Sequence, residues 1–270
     1  MRRDGKKGII AIIILLVIAL YIFFPLAIMI VESISVKWYK IYQWWFPQEI
    51  GLKWYRQILS NPDIFRAIWL TFVIGVTVAI FSILVVLLPA YAIGSKKIKI
   101  GRNFFEILGS IPQTVPAVVL GVGMLPVYAK LGWLYTFHGI ILAHSVGAVP
   151  YVFRTLINGF GSIPPELEEA ARSLGAGTFT ILRKILIPIL KPYLAAAGIL
   201  AFAWSINEFV LTMLLGYPSI VTISVKVYQN AGGYYWSPYL AGALSTILVV
   251  PSLIIVFVLE RLTGISLQRI

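Results

Sequence analysis

Residues 162–192 read SIPPELEEAARSLGAGTFTILRKILIPILKP, the one amphipathic stretch lying between long apolar ones. Leu167, Ala170, Ala171 and Leu174 fall at i, i+3, i+4 and i+7, which predicts one stripe of a short helix. Glu166, Glu168, Glu169, Arg172 and Ser173 take the other faces, with Glu168 and Arg172 in the favoured acid-before-base i,i+4 order. Pro164 and Pro165 suit a first helical turn, where a missing N–H costs nothing. The carboxylates there meet the positive end of the helix dipole. Gly175 and Gly177 end the helix and turn the chain. A second helix is expected from about Thr178, carrying Arg183 and Lys184 and becoming apolar as it meets Pro188 and Pro192. The stripe is small and Ala-rich, unlike helices that lie on lipid, which set Leu, Phe or Trp opposite a basic face.

Working outward, the chain has 270 residues, 60% hydrophobic and 12% charged, with a mean hydropathy of +0.92. A soluble domain is about half apolar and about a quarter charged, so this composition indicates a polytopic all-α membrane protein. The formal charge of +12 does not indicate nucleic acid, because the basic residues cluster beside apolar runs and read as topology signals. With no cysteine, disulfides, thiolate metal sites and thiol nucleophiles are excluded.

About six membrane spans are expected. Arg2, Arg3, Lys6 and Lys7 precede an apolar run from Ile9 to Val31, too long for a signal-peptide core, so a retained first span is expected. Glu32 to Arg66 reads as a long polar-aromatic connection containing Trp38, Trp44, Trp45, Trp54 and Tyr55, suited to the headgroup level. Further spans are expected over about 67–93, 107–127, 138–158, 193–215 and 239–259. Lys96, Lys97, Lys99 and Arg102 mark the end of the second. Pro112, Pro116 and Pro126 interrupt the third. Prolines and glycines inside spans are tolerated because neighbouring helices re-satisfy the backbone and small residues allow close approach.

Orientation follows from the basic residues. With the N-terminus inside, positions 2, 3, 6, 7, 96, 97, 99, 102, 154, 172, 183, 184, 191, 261 and 269 are cytoplasmic. Positions 37, 40, 53, 56, 66, 130 and 226 are outside. Fifteen against seven predicts both termini inside, which also places 162–192 in the cytoplasm. The expected organisation is a basic N-terminus over 1–8, a first span and outer aromatic loop over 9–66, a core over 67–260 containing the 162–192 loop, and a cytoplasmic C-terminus over 261–270.

No Gly-x4-Gly-Lys-Ser/Thr phosphate loop occurs, and nothing resembles a nucleophile–base pair, so no catalytic residue is assigned. His138 and His144 lack carboxylate or Cys companions at metal-site spacing and read as packing or interfacial histidines. No metal site is assigned. Glu208, in WSINEF, is the acid set well inside an expected span, and Arg154 lies toward the inner end of the fourth. Ionisable groups at such depth face a bundle interior or a water-filled path. Two readings follow: Ser205, Asn207 and Glu208 line a translocation path favouring a cationic or hydroxylated solute, or Glu208 pairs with a neighbouring helix and sets packing.

The opening stretch resembles the EAA loop of ABC-importer permeases, E-A-A-x3-G-x9-I-x-L-P. Here it reads Glu169-Ala170-Ala171, Gly175, Ile185, Ile187 and Pro188, with Ile187 replacing the usual Leu. WYRQILSNP (54–62), IPQTVPAVVLGVGML (111–125), AHSVGAVPYVFRTL (143–156) and WSINEFVLTMLLG (204–216) are similar to the spermidine/putrescine, ferric iron and aminophosphonate branch. VTISVKVY (221–228) matches that branch's T-L-P-V-x-x-Y segment with Ser224 where Pro is common. The resemblance covers about residues 50–260. It implies the type I ABC importer permease fold and a multi-pass place in a prokaryotic cell membrane. It implies that Glu168, Glu169, Ala170, Ala171, Arg172 and Gly175 couple to an ATPase. No cofactor is expected on this chain; ATP and Mg would be held by a dimer of ATP-binding subunits. A second permease subunit, an extracytoplasmic solute-binding protein and the lipid bilayer complete the implied partners, and nucleic acid is not among them. Within the branch Glu208 points to a polyamine, with sugar, ferric iron or aminophosphonate as alternatives, since sugar permeases also carry Asn-Glu or Asp here. A secondary transporter or a channel is the rival class, but no internal repeat and no further intramembrane acid supports either.

Overall fold

The computed structural model describes residues 2–38, 46–95, 102–232 and 236–263. Lys96, Lys97, Lys99, Trp44, Trp45 and the segment 264–270 lie outside them. The chain is helical nearly throughout, as a bilayer demands, because a helix satisfies its own backbone polar groups where water cannot. It divides into two compact units, Met1–Phe65 with Lys226–Val249, and Arg66–Val225 with Val250–Ile270.

In the first unit, α1 (Arg2–Ser33) presents an apolar stretch from Ile12 onward of which nothing before Ser33 is buried. The described parts of the connection that follows carry regular structure. A two-stranded antiparallel hairpin, β1 (Ser35–Lys37) and β2 (Glu49–Ile50), leads into α2 (Lys53–Ser60). Trp54 donates its indole N–H to the Ser35 carbonyl at 2.6 Å. Tyr55 donates to Ser33 Oγ at 2.8 Å. Trp54 also stacks on Tyr239 at 5.8 Å between centroids, and Tyr239 donates to the Trp38 carbonyl at 2.8 Å. These aromatics, read in the sequence as headgroup residues, serve as cross-links of the loop. Asn61 Oδ1 then accepts from the N–H groups of Asp63 and Ile64, which caps the start of the next helix before Pro62.

The second unit is organised around α6 (Phe137–Gly161), which packs along α9 (Ile187–Asn207) and meets α3 (Pro62–Gly94) closely at Gly94. Val78, Val86 and Ala90 of α3, Ile140, Val152 and Leu156 of α6, and Leu190, Ala197 and Ala201 of α9 form one buried cluster. Small residues bring the helices close: a Cβ on Gly147 would lie 2.1 Å from the Trp204 ring.

The third expected span is broken at Pro116 but not at Pro112 or Pro126, which lie inside helices: it forms α4 (Arg102–Thr114) and α5 (Ala117–Leu131), bent by 97° at Val115–Pro116. Pro116 caps α5, and the residue before a proline is pushed out of the helical region. The fifth span does not run through to Leu215. A helical stretch from Thr178 to Asn207 comprises α8 (Thr178–Ile181), a π turn (Leu182–Leu186) and α9, and it stops at Glu208. A second π turn follows at Thr212–Gly216. Each π turn closes on the residue just before a proline: Ile187 donates to Leu182 O ahead of Pro188, and Tyr217 to Thr212 O ahead of Pro218. The wider turn ends where the next residue has no N–H to continue the ladder. Short α10 (Ile223–Ala231) leads to α11 (Pro238–Thr263), which occupies the position of the sixth expected span.

Among the described residues four helices are long and apolar enough to cross a membrane, and the α4–α5 pair would make a fifth. The described apolar part of α11, Pro238–Ile254, is shorter.

Candidate functional site

The quoted stretch folds as the pattern predicts. Helix α7 spans Pro165–Ser173, with Pro164 at its N-cap and Glu166 and Glu168 in its first turn. It ends in a Schellman motif around Gly175, whose φ is +82°. Gly175 N–H donates to Arg172 O at 2.9 Å, and Ala176 N–H to Ala171 O at 3.0 Å. These two bonds satisfy carbonyls that the helix end would otherwise leave open.

Which face is turned inward differs from the expected stripe. Of Leu167, Ala170, Ala171 and Leu174 only Ala171 is buried, while Leu174 is 89% exposed. Glu168, assigned by pattern to an outer face, keeps only 14% of its side-chain exposure. The reason is a polar anchor that periodicity cannot show. Glu168 Oε1 accepts from Tyr91 Oη on α3 at 3.0 Å, from Arg172 Nη2 at 2.8 Å and from Arg172 Nε at 3.1 Å. Arg172 Nη2 reaches on to Thr178 Oγ1 at 3.3 Å. Hydrogen bonding to Glu168 raises the guanidinium above its ordinary value, so it stays charged. Glu169, Ala170 and Leu174 remain exposed, as does Phe179 on the following helical stretch, at 73%.

The second candidate cluster is only partly assembled. Ser205, Asn207 and Glu208 do not share one surface. Ser205, expected to line a path, is buried, with its hydroxyl 2.9 Å from His144 Nδ1. Asn207 is exposed and bonds back to Ala203 O. Glu208 leaves the helix, and its Oε1 accepts from the Leu211 N–H at 2.8 Å, capping the turn that follows. Its freed backbone carbonyl accepts from Ser224 Oγ at 3.0 Å. Ser224 is the position at which the chain departs from the resembled pattern, and proline there could not make this bond.

His144, read from the sequence as a packing histidine, is the hub the sequence underrates. Its Nε2 lies 2.9 Å from Thr212 Oγ1, so one imidazole joins α6 to both sides of the break at Glu208. Trp204 holds its ring edge-on at 6.0 Å. Arg154 is exposed on α6. No sequence signal marked Tyr91, because its partner is 77 positions away.

Comparison with known proteins places the chain in a family. Residues 88–270 match the family described as binding-protein-dependent transport system inner membrane component. The chain is 29% identical over 236 residues to the spermidine/putrescine transport system permease protein PotC of Escherichia coli K12, covering 87% of each. It is 28% identical over 223 residues to the sulfoquinovosyl glycerol transport system permease protein SmoH of Agrobacterium fabrum, covering 82% of this chain and 78% of that one. In fold it is similar to a chain of a bacterial ABC transporter involved in import of the acidic polysaccharide alginate. There the TM-score is 0.75 at 23% identity, over 97% of this chain and 98% of that one. With its helical spans, its amphipathic loop and the family match over two thirds of its length, this chain belongs to the inner-membrane permease components of binding-protein-dependent ABC importers.

Proposed function

We propose that this chain couples ATP hydrolysis by a separate subunit to alternating access for a small cationic solute of the polyamine class. The observation that carries the coupling half is the two-sidedness of α7. Its inner face is held by Glu168, Ala171 and Arg172, while Glu169, Ala170 and Leu174 are exposed, as is Phe179 just past the Gly175 turn. An exposed leucine and phenylalanine on the same short loop as an exposed carboxylate suit a groove on a protein partner. That partner is a dimer of ATP-binding subunits, which holds ATP and Mg. ATP closes the dimer, the Gly175 turn passes the displacement on as a rigid unit, and the spans rock between inward- and outward-facing states. A second permease subunit completes the path, a solute-binding protein delivers from outside, and both termini lie in the cytoplasm of a prokaryote.

Co-purification of the tagged chain from its native membrane, followed by mass spectrometry, tests this reading. Recovery of an ATPase subunit and a second permease supports it; recovery of this chain alone as a stable oligomer moves it to a channel or secondary transporter. Leu174→Glu is expected to strip the ATPase subunit from the complex, reducing its recovery about tenfold, as loss of one well-buried interface anchor does. The helical content should not change, since Leu174 packs on nothing at 89% exposure.

The solute assignment draws on the likeness to PotC and on the Glu208 carboxylate at the break in α9. Glu208→Gln separates charge from capping, because the amide oxygen still accepts from Leu211 N–H. For a cationic solute the half-saturating concentration should rise about tenfold, the scale of a lost charge-assisted contact. An unchanged value, or uptake driven by a sugar-loaded binding protein, would replace the polyamine with a neutral solute and leave the importer reading intact.

A further inference from the structure

From the geometry at the inner end of α3 we infer that Tyr91 is a positioning residue for energy coupling: its hydroxyl sets the angle of α7 through Glu168. This rests on the reading of α7 as the ATPase-docking helix and names the span that α7 drives.

One oxygen, Glu168 Oε1, gathers three elements. Tyr91 donates to it from α3 at 3.0 Å, and Arg172 donates from the next turn of α7. Through Thr178 the same guanidinium touches the first residue of α8. Tyr91 itself cannot shift alone. Its ring lies 5.3 Å from that of Phe160, the penultimate residue of α6. Three residues on, a Cβ at Gly94 would stand 2.6 Å from Phe160 Cβ and 2.8 Å from Ile157 O. The inner ends of α3 and α6 are therefore in backbone-close contact, and interdigitated contacts of that kind move together rather than slide.

Packing holds α7 at Ala171, which enters the buried cluster, but leaves space around Glu168. A cleft of about 250 Å³, partly open to solvent, lies there, lined by Gly94, Phe160, Pro164, Glu168, Glu169 and Arg172. A helix facing a void can tilt into it, whereas a hydrogen bond from a fixed hydroxyl to a carboxylate oxygen holds both distance and direction. The Tyr91–Glu168 bond thus ties a helix with room to move to a pair of spans without it. A push on α7 reaches α3 and α6 through that bond as well as α9 through the covalent chain.

Tyr91→Phe is the direct test, made in the full reconstituted complex. The phenyl ring keeps its contact with Phe160, and Glu168 Oε1 keeps both Arg172 donors, so no buried carboxylate is stranded. The ATPase subunit should co-purify as in the parent. Solute moved per ATP hydrolysed should fall about tenfold, the scale of one hydrogen bond to a charged group, while the half-saturating solute concentration stays the same. Glu168→Ala should produce a similar fall, and adding Tyr91→Phe to it should cost much less than Tyr91→Phe alone, since the two groups share one link. An unchanged ratio in Tyr91→Phe overturns the inference, as does full additivity with Glu168→Ala or loss of the ATPase subunit from Tyr91→Phe. Failure of the parent chain to recover any ATPase subunit is a different result, and overturns the proposed function instead.

Discussion

Gly175→Val is expected to cut solute uptake per ATP hydrolysed by at least about tenfold while the spans remain folded. At φ +82° the Gly175 backbone sits in the left-handed region. A residue with a Cβ is disfavoured there by roughly 1–2 kcal/mol, and a β-branched one by more. Crowding is not the cause, since a Cβ would meet no atom within 4 Å. The strain is relieved only by opening the turn, which breaks the bonds from Gly175 N–H to Arg172 O and from Ala176 N–H to Ala171 O. Helix α7 then changes direction relative to α8. A bias of about 1.4 kcal/mol already changes the population of the coupled orientation tenfold. Asparagine tolerates this conformation best among residues with side chains, so Gly175→Asn should retain more coupling than Gly175→Asp, and valine least. Paired measurements of uptake and ATP hydrolysis in proteoliposomes would show the series; equal ratios for glycine and valine would remove the rigid turn from the mechanism.

Gly147→Leu is expected to produce the largest loss of stability. Even a single methyl group at this position would lie 2.1 Å from two atoms of the Trp204 ring. Overpacking of a tight site costs about 1–3 kcal/mol, occasionally more. Here the displaced neighbour is a rigid indole rather than a flexible chain end. Moving Trp204 also disturbs the ring edge packed on His144, and with it the bonds to Ser205 and Thr212 that hold both sides of the Glu208 break. For a chain of this size a loss of about 3 kcal/mol corresponds to a drop in melting temperature of roughly 6–12 °C. Thermal melting in detergent would read it. Trp204→Ala should destabilise on its own by leaving a void, yet recover part of the loss when combined with Gly147→Leu, because the leucine fills the vacated space. A Gly147→Leu protein melting like the parent would mean that α6 and α9 do not approach at this point.

Sequence pattern was most informative where one element answers to one local rule. Pro164–Pro165, the acidic first turn and the Gly175 stop delimit α7 closely, because caps and turn residues act within a few positions of themselves. Hydropathy located the long helices for the same kind of reason: a bilayer leaves a contiguous apolar run no alternative to a helix. The bend at Val115–Pro116 was legible as a proline but not as a 97° turn, since the angle depends on what each half packs against. The stop at Glu208 had no local marker, for WSINEF contains neither glycine nor proline. It exists because a carboxylate, a serine 16 positions on and a histidine 61 positions before Ser205 take over the backbone and side-chain bonds around it.

The sequence by itself determined that this is a helical membrane protein with an amphipathic loop ended by glycine, because composition, periodicity and capping are properties of contiguous residues. Only the tertiary structure decided which way that loop faces. Periodicity offered an apolar stripe for burial, yet the inward face of α7 carries Glu168, because Tyr91 supplies a hydroxyl and Arg172 a charge that satisfy its carboxylate there. With its polar anchor inside, the helix leaves Leu174 in the open. A partner 77 residues away in sequence leaves no trace in a helical pattern of period 3.6, and so the inward face of the loop belongs to the fold rather than to the stretch that forms it.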